Sequence, residues 1–229
     1  MLNHGKKYKK ASEGISPSAT LPILDAVKKV KELAYAKFDE SIDLNVNLGI
    51  DASKGDQVVR GSIILPHGKG KKARVIVFAK GDYAISAEKA GADFVGSDDL
   101  IAKIESGWLD FDYAIATPDL MGAVGKAAKI LGPRGLLPNK KNGTVTFEVA
   151  EAIVDLKKGR QFFKNDKSGL VHFTIGKVSF EPQKLQENLV AFLRVLAASK
   201  PASSKVKFLR KATISSTMGV GVQLSLDEI

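Results

Sequence analysis

The chain has 229 residues, 44% of them hydrophobic and 26% charged, with a formal net charge of +10. That composition can bury a core in one large domain or two small ones, and the charge favours a polyanionic partner, nucleic acid ahead of an anionic membrane. The absence of cysteine excludes disulfides, thiolate metal sites and a cysteine nucleophile. His4, His67 and His172 lie far apart in sequence and form no short metal spacing, so no metal and no cofactor are expected. The first residues carry cations but no apolar core behind them, which argues against a secretory signal. The longest apolar run, 189–198, is broken by Arg194, so no membrane span is expected and a cytoplasmic protein is the default.

Residues 1–20 carry Lys6, Lys7, Lys9 and Lys10 and then Ser, Gly and Pro. They read as a basic arm with little structure, either a frayed terminus or a non-specific phosphate contact. Over 22–36, Ile23, Ala26, Val27, Val30, Leu33 and Ala34 share one helical face. Pro22 and Asp25 suit the first turn of that helix. Phe38 falls at the junction with the next element. It is either a core plug at the helix end or a ring packed on a sugar or base. Ile42, Leu44, Val46 and Leu48 then alternate with Asp43, Asn45 and Asn47 as a half-buried strand. A second strand covers 58–65. The run Pro66-His67-Gly68-Lys69-Gly70-Lys71-Lys72 is not a phosphate-binding loop. Its glycines precede a strand and no Ser or Thr follows the lysines. It reads as a hinge.

From residue 73 the period changes. Strands at 73–79, 93–95, 113–116 and 144–146 alternate with helices near 83–90, 98–106 (capped by Ser97), 117–131 and 148–158. This pattern predicts a small parallel sheet covered on both faces. Thr117-Pro118-Asp119 reads as a strong helix start. No turn after a strand carries G-x-G-x-x-G, so a nucleotide site is not expected. Residues 82–119 have a net charge of −7, and 120–147 have +5. Arg134, Lys140 and Lys141 lie in the Gly- and Pro-rich basic loop, either a rigid solvated connection or a second anion contact.

Residues 161–164 and 170–177 read as strands of a hairpin around the turn Asn165-Asp166-Lys167-Ser168-Gly169. Val171, Phe173 and Ile175 take one face, His172 and Thr174 the other. A helix over 182–199 lines up Leu185, Leu189, Phe192, Leu193 and Leu196. Then comes the stretch 205–217. Val206, Phe208, Ala212 and Ile214 share the even parity. Lys205, Lys207, Lys211, Thr213, Ser215 and Thr217 share the odd parity, with Leu209 as the exception. A strand of this kind presents ammonium groups and then hydroxyls on its polar face. That face is either a solvated edge or a surface for a phosphate–ribose backbone. A last strand covers 220–226.

The organisation is therefore mixed α/β plus α+β in two domains. Residues 1–67 and 160–229 form a discontinuous α+β domain with net charge +8, and 68–159 form an inserted Rossmann-like domain with net charge +2. Pro66, His67 and Gly68, with Gly159 and Arg160, are the expected hinge pair.

An ordered set of motifs now becomes informative. They are His4-Gly5-Lys6-Lys7-Tyr8, Lys37-Phe38-Asp39-Glu40-Ser41, Leu65-Pro66-His67-Gly68, Ala90-Gly91-Ala92-Asp93 and Ala116-Thr117-Pro118-Asp119-Leu120-Met121. They continue with the run from Leu131-Gly132-Pro133-Arg134-Gly135 to Asn139, then Asn165-Asp166-Lys167-Ser168-Gly169 and Ser215-Ser216-Thr217-Met218-Gly219. Over essentially its whole length the chain resembles the family of the first protein of the large ribosomal subunit, bacterial type. Val220 departs from the family, which usually has proline there.

The resemblance implies a non-enzymatic, monomeric protein of the cytoplasmic ribosome with no catalytic residue. Its partners would be a stalk helix of large-subunit rRNA at the lateral stalk, exit-site tRNA whose release it assists, and its own-operon mRNA, whose translation it represses. The family's RNA face falls on Lys37, Phe38, Ser41, Asp166, Lys167, Ser168, His172, Ser215, Thr217, Met218 and Gly219. Arg134, Lys140 and Lys141 are secondary candidates. Two rival readings are a nucleotide-dependent enzyme using Asp112 or Asp119 in the insert, and an unspecific basic RNA chaperone.

Overall fold

A computed structural model describes residues 5–13, 15, 19–202, 204 and 207–226. In chain order the elements are α1 (Lys6–Ser12), β1 (Thr20–Leu21), α2 (Ile23–Leu33), β2 (Ser41–Leu48), β3 (Arg60–Ile64), β4 (Val75–Phe78), α3 (Asp82–Lys89), β5 (Phe94–Gly96), α4 (Asp98–Glu105), β6 (Tyr113–Ala116), α5 (Met121–Val124), α6 (Ala128–Leu131), α7 (Val149–Lys157), β7 (Arg160–Lys164), β8 (Leu170–Lys177), α8 (Pro182–Ala198), β9 (Leu209–Ser216) and β10 (Val222–Leu224). The chain divides into two compact units, 1–70 with 162–229, and 71–161.

Unit 1 is built on a five-stranded sheet in the order β1-β10-β9-β2-β8. The β10/β9, β9/β2 and β2/β8 pairs are antiparallel, and β1 runs parallel to β10. The alternation in β2 decides its faces. Ile42, Leu44, Val46 and Leu48 are buried, while Ser41, Asp43, Asn45 and Asn47 point the other way. One core joins these residues to Val171, Phe173, Ile175, Ala212 and Ile214 and to the apolar faces of α2 and α8. In α8, Leu185, Leu189, Phe192, Leu193 and Leu196 are fully buried, each worth about 1.5–3 kcal/mol of transfer free energy. Both helices cover the same side of the sheet, and among the described residues no helix covers the other. A separate two-stranded sheet pairs β3 with β7.

Two bulges set which side chains reach the polar side. In the β2/β8 ladder, Ile42 pairs with Gly176 but Asp43 pairs with Thr174, so Ile175 is an extra residue. In the β2/β9 ladder, Asn47 pairs with Lys211 but Leu48 pairs with Leu209, so Arg210 is extra. An extra residue reverses the side-chain parity beyond it. The second bulge accounts for Leu209, the exception in the alternation of this strand, which packs against the core.

Unit 2 holds a parallel sheet in the order β5-β4-β6. All four β4 residues are buried, as a strand covered on both faces requires. Ile76, Phe78, Ala114 and Ala116 pack towards α4, Val124 and Leu131. Val75, Val77 and Ile115 take the other parity and are fully buried as well, on the side of α3 and α7.

Several sequence expectations need correction. The basic arm is not featureless, because Lys6–Ser12 is helical, although it buries none of its residues. The helix expected over 117–131 is a succession of short turns, 118–120, 121–124, 125–127 and 128–131. Gly122 and Gly125 each weaken a continuous helix by about 1 kcal/mol relative to Ala. Ser97 and Thr117 occupy N-cap positions but make no side-chain capping bond. The strand expected at 144–146 is a single bridge between Val145 and Ala116. The hairpin expected over 161–177 exists only at its tip, where Asn165 bridges Val171. Its two strands go to different sheets. The two compact units divide the chain at Gly70/Lys71 and Gln161/Phe162. Within unit 1 the buried side chain of Asn188 accepts from the His67 N–H at 3.0 Å and donates to the Gly68 carbonyl at 3.1 Å, which ties both residues to α8. His4, Lys205 and Val206 lie outside the described residues.

Candidate nucleic-acid interface

The uncovered face of the unit 1 sheet is laid out in rows by strand register. Thr174, Asp43 and Ser215 form one row, and His172, Asn45 and Thr213 the next. Leu170, Asn47 and Lys211 form a third. Neighbouring strands lie about 4.8 Å apart and each residue advances about 3.3 Å. The polar strip on β8-β2-β9 is therefore about 10 Å wide between outer strands and about 20 Å long. Its upper part encloses a shallow depression of about 430 Å³ lined by Asp43, Asn45, His172, Thr174, Ser215 and Thr217, among others.

The polar groups are partly satisfied by each other. Thr174 Oγ1 donates to Asp43 Oδ1 at 2.6 Å, and His172 Nδ1 and Asn45 Oδ1 are 2.6 Å apart. The second ring nitrogen of His172 stands 3.7 Å from Asp166 Oδ2. No Lys or Arg forms an ion pair with Asp43 among the described residues, so this carboxylate keeps acceptor capacity on the surface. Carboxylates suit ribose 2′-OH groups and base N–H edges and repel phosphates, while hydroxyls and amides can meet sugar, base or phosphate oxygens.

The end of the strip near Ser41 combines two loops. Lys37 and Phe38 belong to the segment between α2 and β2, and Phe38 is 56% exposed. Thr217, Met218 and Gly219 form the turn after β9, closed by a Gly219 N–H bond to the Ser216 carbonyl at 3.1 Å. Met218 is 51% exposed. Two large apolar side chains thus stand in solvent beside a polar strip. A Cβ on Gly219 would come within 2.3 Å of Ser216 Oγ, so any other residue there would have to turn the buried Ser216 hydroxyl away. Thr217 Oγ1 accepts from the Ser41 N–H at 3.0 Å and lies 3.3 Å from the Ser41 carbonyl. That contact joins the turn to the start of β2.

Glu40 sits beneath these loops, 1% exposed. Its Oε1 accepts from the Ala36 N–H at 2.8 Å and its Oε2 from the Met218 N–H at 2.9 Å. Tyr35 Oη donates to the Met218 carbonyl at 2.7 Å. Burial opposes ionisation of Glu40, but the N–H groups of Met218 and Ala36 outweigh it and hold the carboxyl below its usual range.

The far end of the strip carries the Asp166-Lys167-Ser168 turn. Asp166 Oδ1 accepts from the N–H groups of Ser168 and Leu170, both at 2.8 Å. These bonds, the Leu170 one foremost, hold its carboxyl below the usual range. Lys167 and Ser168 are exposed. The eleven residues expected on an RNA face therefore all lie on unit 1, along the strip or at its two ends. Arg134, Lys140 and Lys141 are exposed on unit 2. Among the hinge candidates, Gly159 has a φ of 100° and Arg160 NH1 lies 3.4 Å from Asp155.

Sequence reasoning missed Tyr35, Glu40, Asp43, Asn45, Thr174 and Lys177 as members of the site. Alternation placed Asp43, Asn45 and Thr174 on a polar face, but only the register shows that this is the face of Ser215. Lys177 has the parity of the core residues Val171, Phe173 and Ile175. The bulge at Ile175 turns it to the polar side, where Nζ donates to Ser41 Oγ at 2.8 Å. Nothing in the sequence announces that bulge.

Of the two acids considered for catalysis in unit 2, Asp112 precedes β6 and Asp119 follows it, so they lie at opposite ends of that strand. Asp112 is at the N-terminal edge of the sheet. It accepts from Lys71 Nζ at 2.6 Å and from the Arg74 N–H at 3.1 Å. Partial burial opposes its ionisation, but Lys71 and Arg74 hold the carboxyl below its usual range. No group of three or more metal-ligating side chains occurs among the described residues.

A model of the ribosomal protein L1p/L10e family matches residues 30–220. The chain is 50% identical over 224 residues to the large ribosomal subunit protein uL1 of Desulfosudis oleivorans, covering 98% of this chain and 96% of that one.

Proposed function

We propose, from the fact that this chain belongs to the ribosomal protein L1p/L10e family, that it is a structural, non-catalytic protein of the large ribosomal subunit that binds large-subunit rRNA through the polar strip of unit 1. One observation carries the reading: a sheet face of hydroxyl, amide, imidazole and carboxylate groups is flanked by the exposed side chains of Phe38 and Met218. Such a face recognises folded RNA by sugar and base contacts, while Lys37, Lys167, Lys177 and Lys211 supply the phosphate attraction.

The finer assignments belong to the same proposal. The bound element is a kinked stalk helix, and the protein forms the lateral stalk and assists release of deacylated tRNA. The exposed cations Arg134, Lys140 and Lys141 of unit 2 support a contact with a second RNA. An mRNA that imitates the stalk fold occupies the same strip, so rRNA and mRNA compete and the protein represses its own translation. Outside the ribosome it acts as a monomer.

Binding of the full chain to a stalk-helix rRNA fragment and to a shuffled RNA of equal length, across a salt series, tests the reading. A preference for the stalk fragment that persists at high salt is the expected result. Equal affinities that collapse together would reduce the protein to a general basic RNA binder. Addition of the leader of its own mRNA should displace the stalk fragment in proportion to its concentration.

A further inference from the structure

We propose that Glu40 is a positioning residue for RNA recognition: it never touches RNA, and it fixes the spacing of the two apolar anchors, Phe38 and Met218, on which specificity depends. The inference rests on the functional reading above and deepens it. Phe38 and Met218 belong to segments about 180 residues apart in sequence. Neither anchor is held by burial of its own side chain, since both are more than half exposed. Their positions must come from the backbone.

A single carboxylate does this. One oxygen of Glu40 takes the N–H of Ala36, two residues before Phe38, and the other takes the N–H of Met218 itself. Tyr35, in the same segment, holds the opposite side of the Met218 residue through its carbonyl. The Met218 backbone is thereby gripped at both its N–H and its C=O by residues 35–40.

The choice of a carboxylate follows from the partners. Both are N–H donors, and only an ionised carboxylate presents acceptors at both oxygens. A glutamine would turn its NH2 group towards one of the two donors. The bonds are charge-assisted and hence about twice as strong as neutral ones. At 1% exposure the carboxylate contributes little repulsion to RNA phosphates at the surface.

The test compares Glu40→Gln and Tyr35→Phe with the parent, using the stalk-helix fragment and the shuffled RNA as probes. Amide hydrogen exchange and thermal melting accompany the binding curves. In Glu40→Gln, stalk affinity should fall at least tenfold and shuffled-RNA affinity less than twofold. The Ala36 and Met218 amides should exchange faster, while those of Leu44 and Ile214 in the sheet keep their protection. Tyr35→Phe, which removes only an exposed hydroxyl, should lower stalk affinity by about threefold with the same selectivity.

A ratio of stalk to shuffled affinity equal to that of the parent in either folded variant overturns the inference. If Glu40→Gln does not fold, Tyr35→Phe decides alone. If the parent itself shows no stalk preference, the functional reading fails instead, and the exchange of Ala36 and Met218 still reports whether the clamp exists.

Discussion

The Nδ2 group of Asn188, in the middle of α8, donates to the carbonyl of Ile175 at 2.9 Å, and Ile175 is the extra residue of the bulge in β8. A bulge takes backbone groups out of the ladder, and a buried carbonyl left alone is costly. The same side chain also binds the His67 N–H and the Gly68 carbonyl. One fully buried amide therefore satisfies the bulge that turns Lys177 towards the candidate RNA face and the segment where the chain leaves unit 1.

Asn188→Leu keeps the size of the side chain and removes all three bonds. Each buried backbone group left unsatisfied costs about 1–3 kcal/mol. The variant should lose about 3 kcal/mol of unit 1 stability. Urea denaturation followed by a probe in unit 1 checks this, because two units need not melt together. A loss below about 1 kcal/mol would mean that water or a backbone shift replaces the amide.

Phe38→Ala and Met218→Ala should separate recognition from stability. Both side chains are mostly in solvent, so each change should alter stability by less than about 0.5 kcal/mol. Stacking of an aromatic ring on a base is worth about 1–3 kcal/mol. Stalk-RNA affinity should fall about fivefold or more in each variant, measured by filter binding at fixed salt. Unchanged affinity in both would move the interface off this end of the strip.

Much of this was legible in the sequence, for physical reasons that can be named. Alternation assigned the faces of β2 and of the 212–217 segment because a strand has a period of two. The apolar stripe of α8 and the continuous apolar run of β4 were equally plain. What periodicity cannot supply is register. It could not put His172 beside Asn45, and it could not show that Lys177 faces the polar side, because one inserted residue reverses the pattern. Glu40 escaped notice for another reason. Beside Asp39 in a charged loop it looks like a solvated acid, and only the fold brings Met218 over it. The short turns of 118–131 were lost because a good helix start was read without weighing Gly122 and Gly125.

Lys167 gives a test of a different kind. An exposed lysine that meets a phosphate adds to affinity without reading sequence. Lys167→Ala should weaken binding to stalk and shuffled RNA by similar factors. The slope of log affinity against log salt should become shallower by about one. A loss confined to the stalk RNA would instead give Lys167 a role in recognition.

Stability should decline on the acid side, and Glu40 should account for part of the decline. Its carboxyl is held below its ordinary value of 4.5, so the unfolded state binds the proton more tightly. The stabilisation is complete above about pH 4.5 and is lost as the pH falls through the lower folded-state value. Asp112 in unit 2 acts in the same direction from its ordinary value of 3.8. Equilibrium unfolding between pH 6 and 3 should show a steeper acid limb for the parent than for Glu40→Gln. Parallel limbs would show that Glu40 titrates alike in both states.

The order β1-β10-β9-β2-β8 places β2, from before the inserted unit, between two strands that follow it. Unit 2 is continuous in sequence and can fold once residues 71–161 have emerged from the ribosome. Unit 1 cannot: β2 waits without neighbours until β8 arrives, and the turn at 217–219 until β9 is complete. On a translating ribosome the candidate RNA face thus matures after unit 2 and only near the end of the chain. A nascent chain holding a finished unit 2 still lacks the candidate RNA face, because its three strands β8, β2 and β9 cannot pair before residue 216 has emerged.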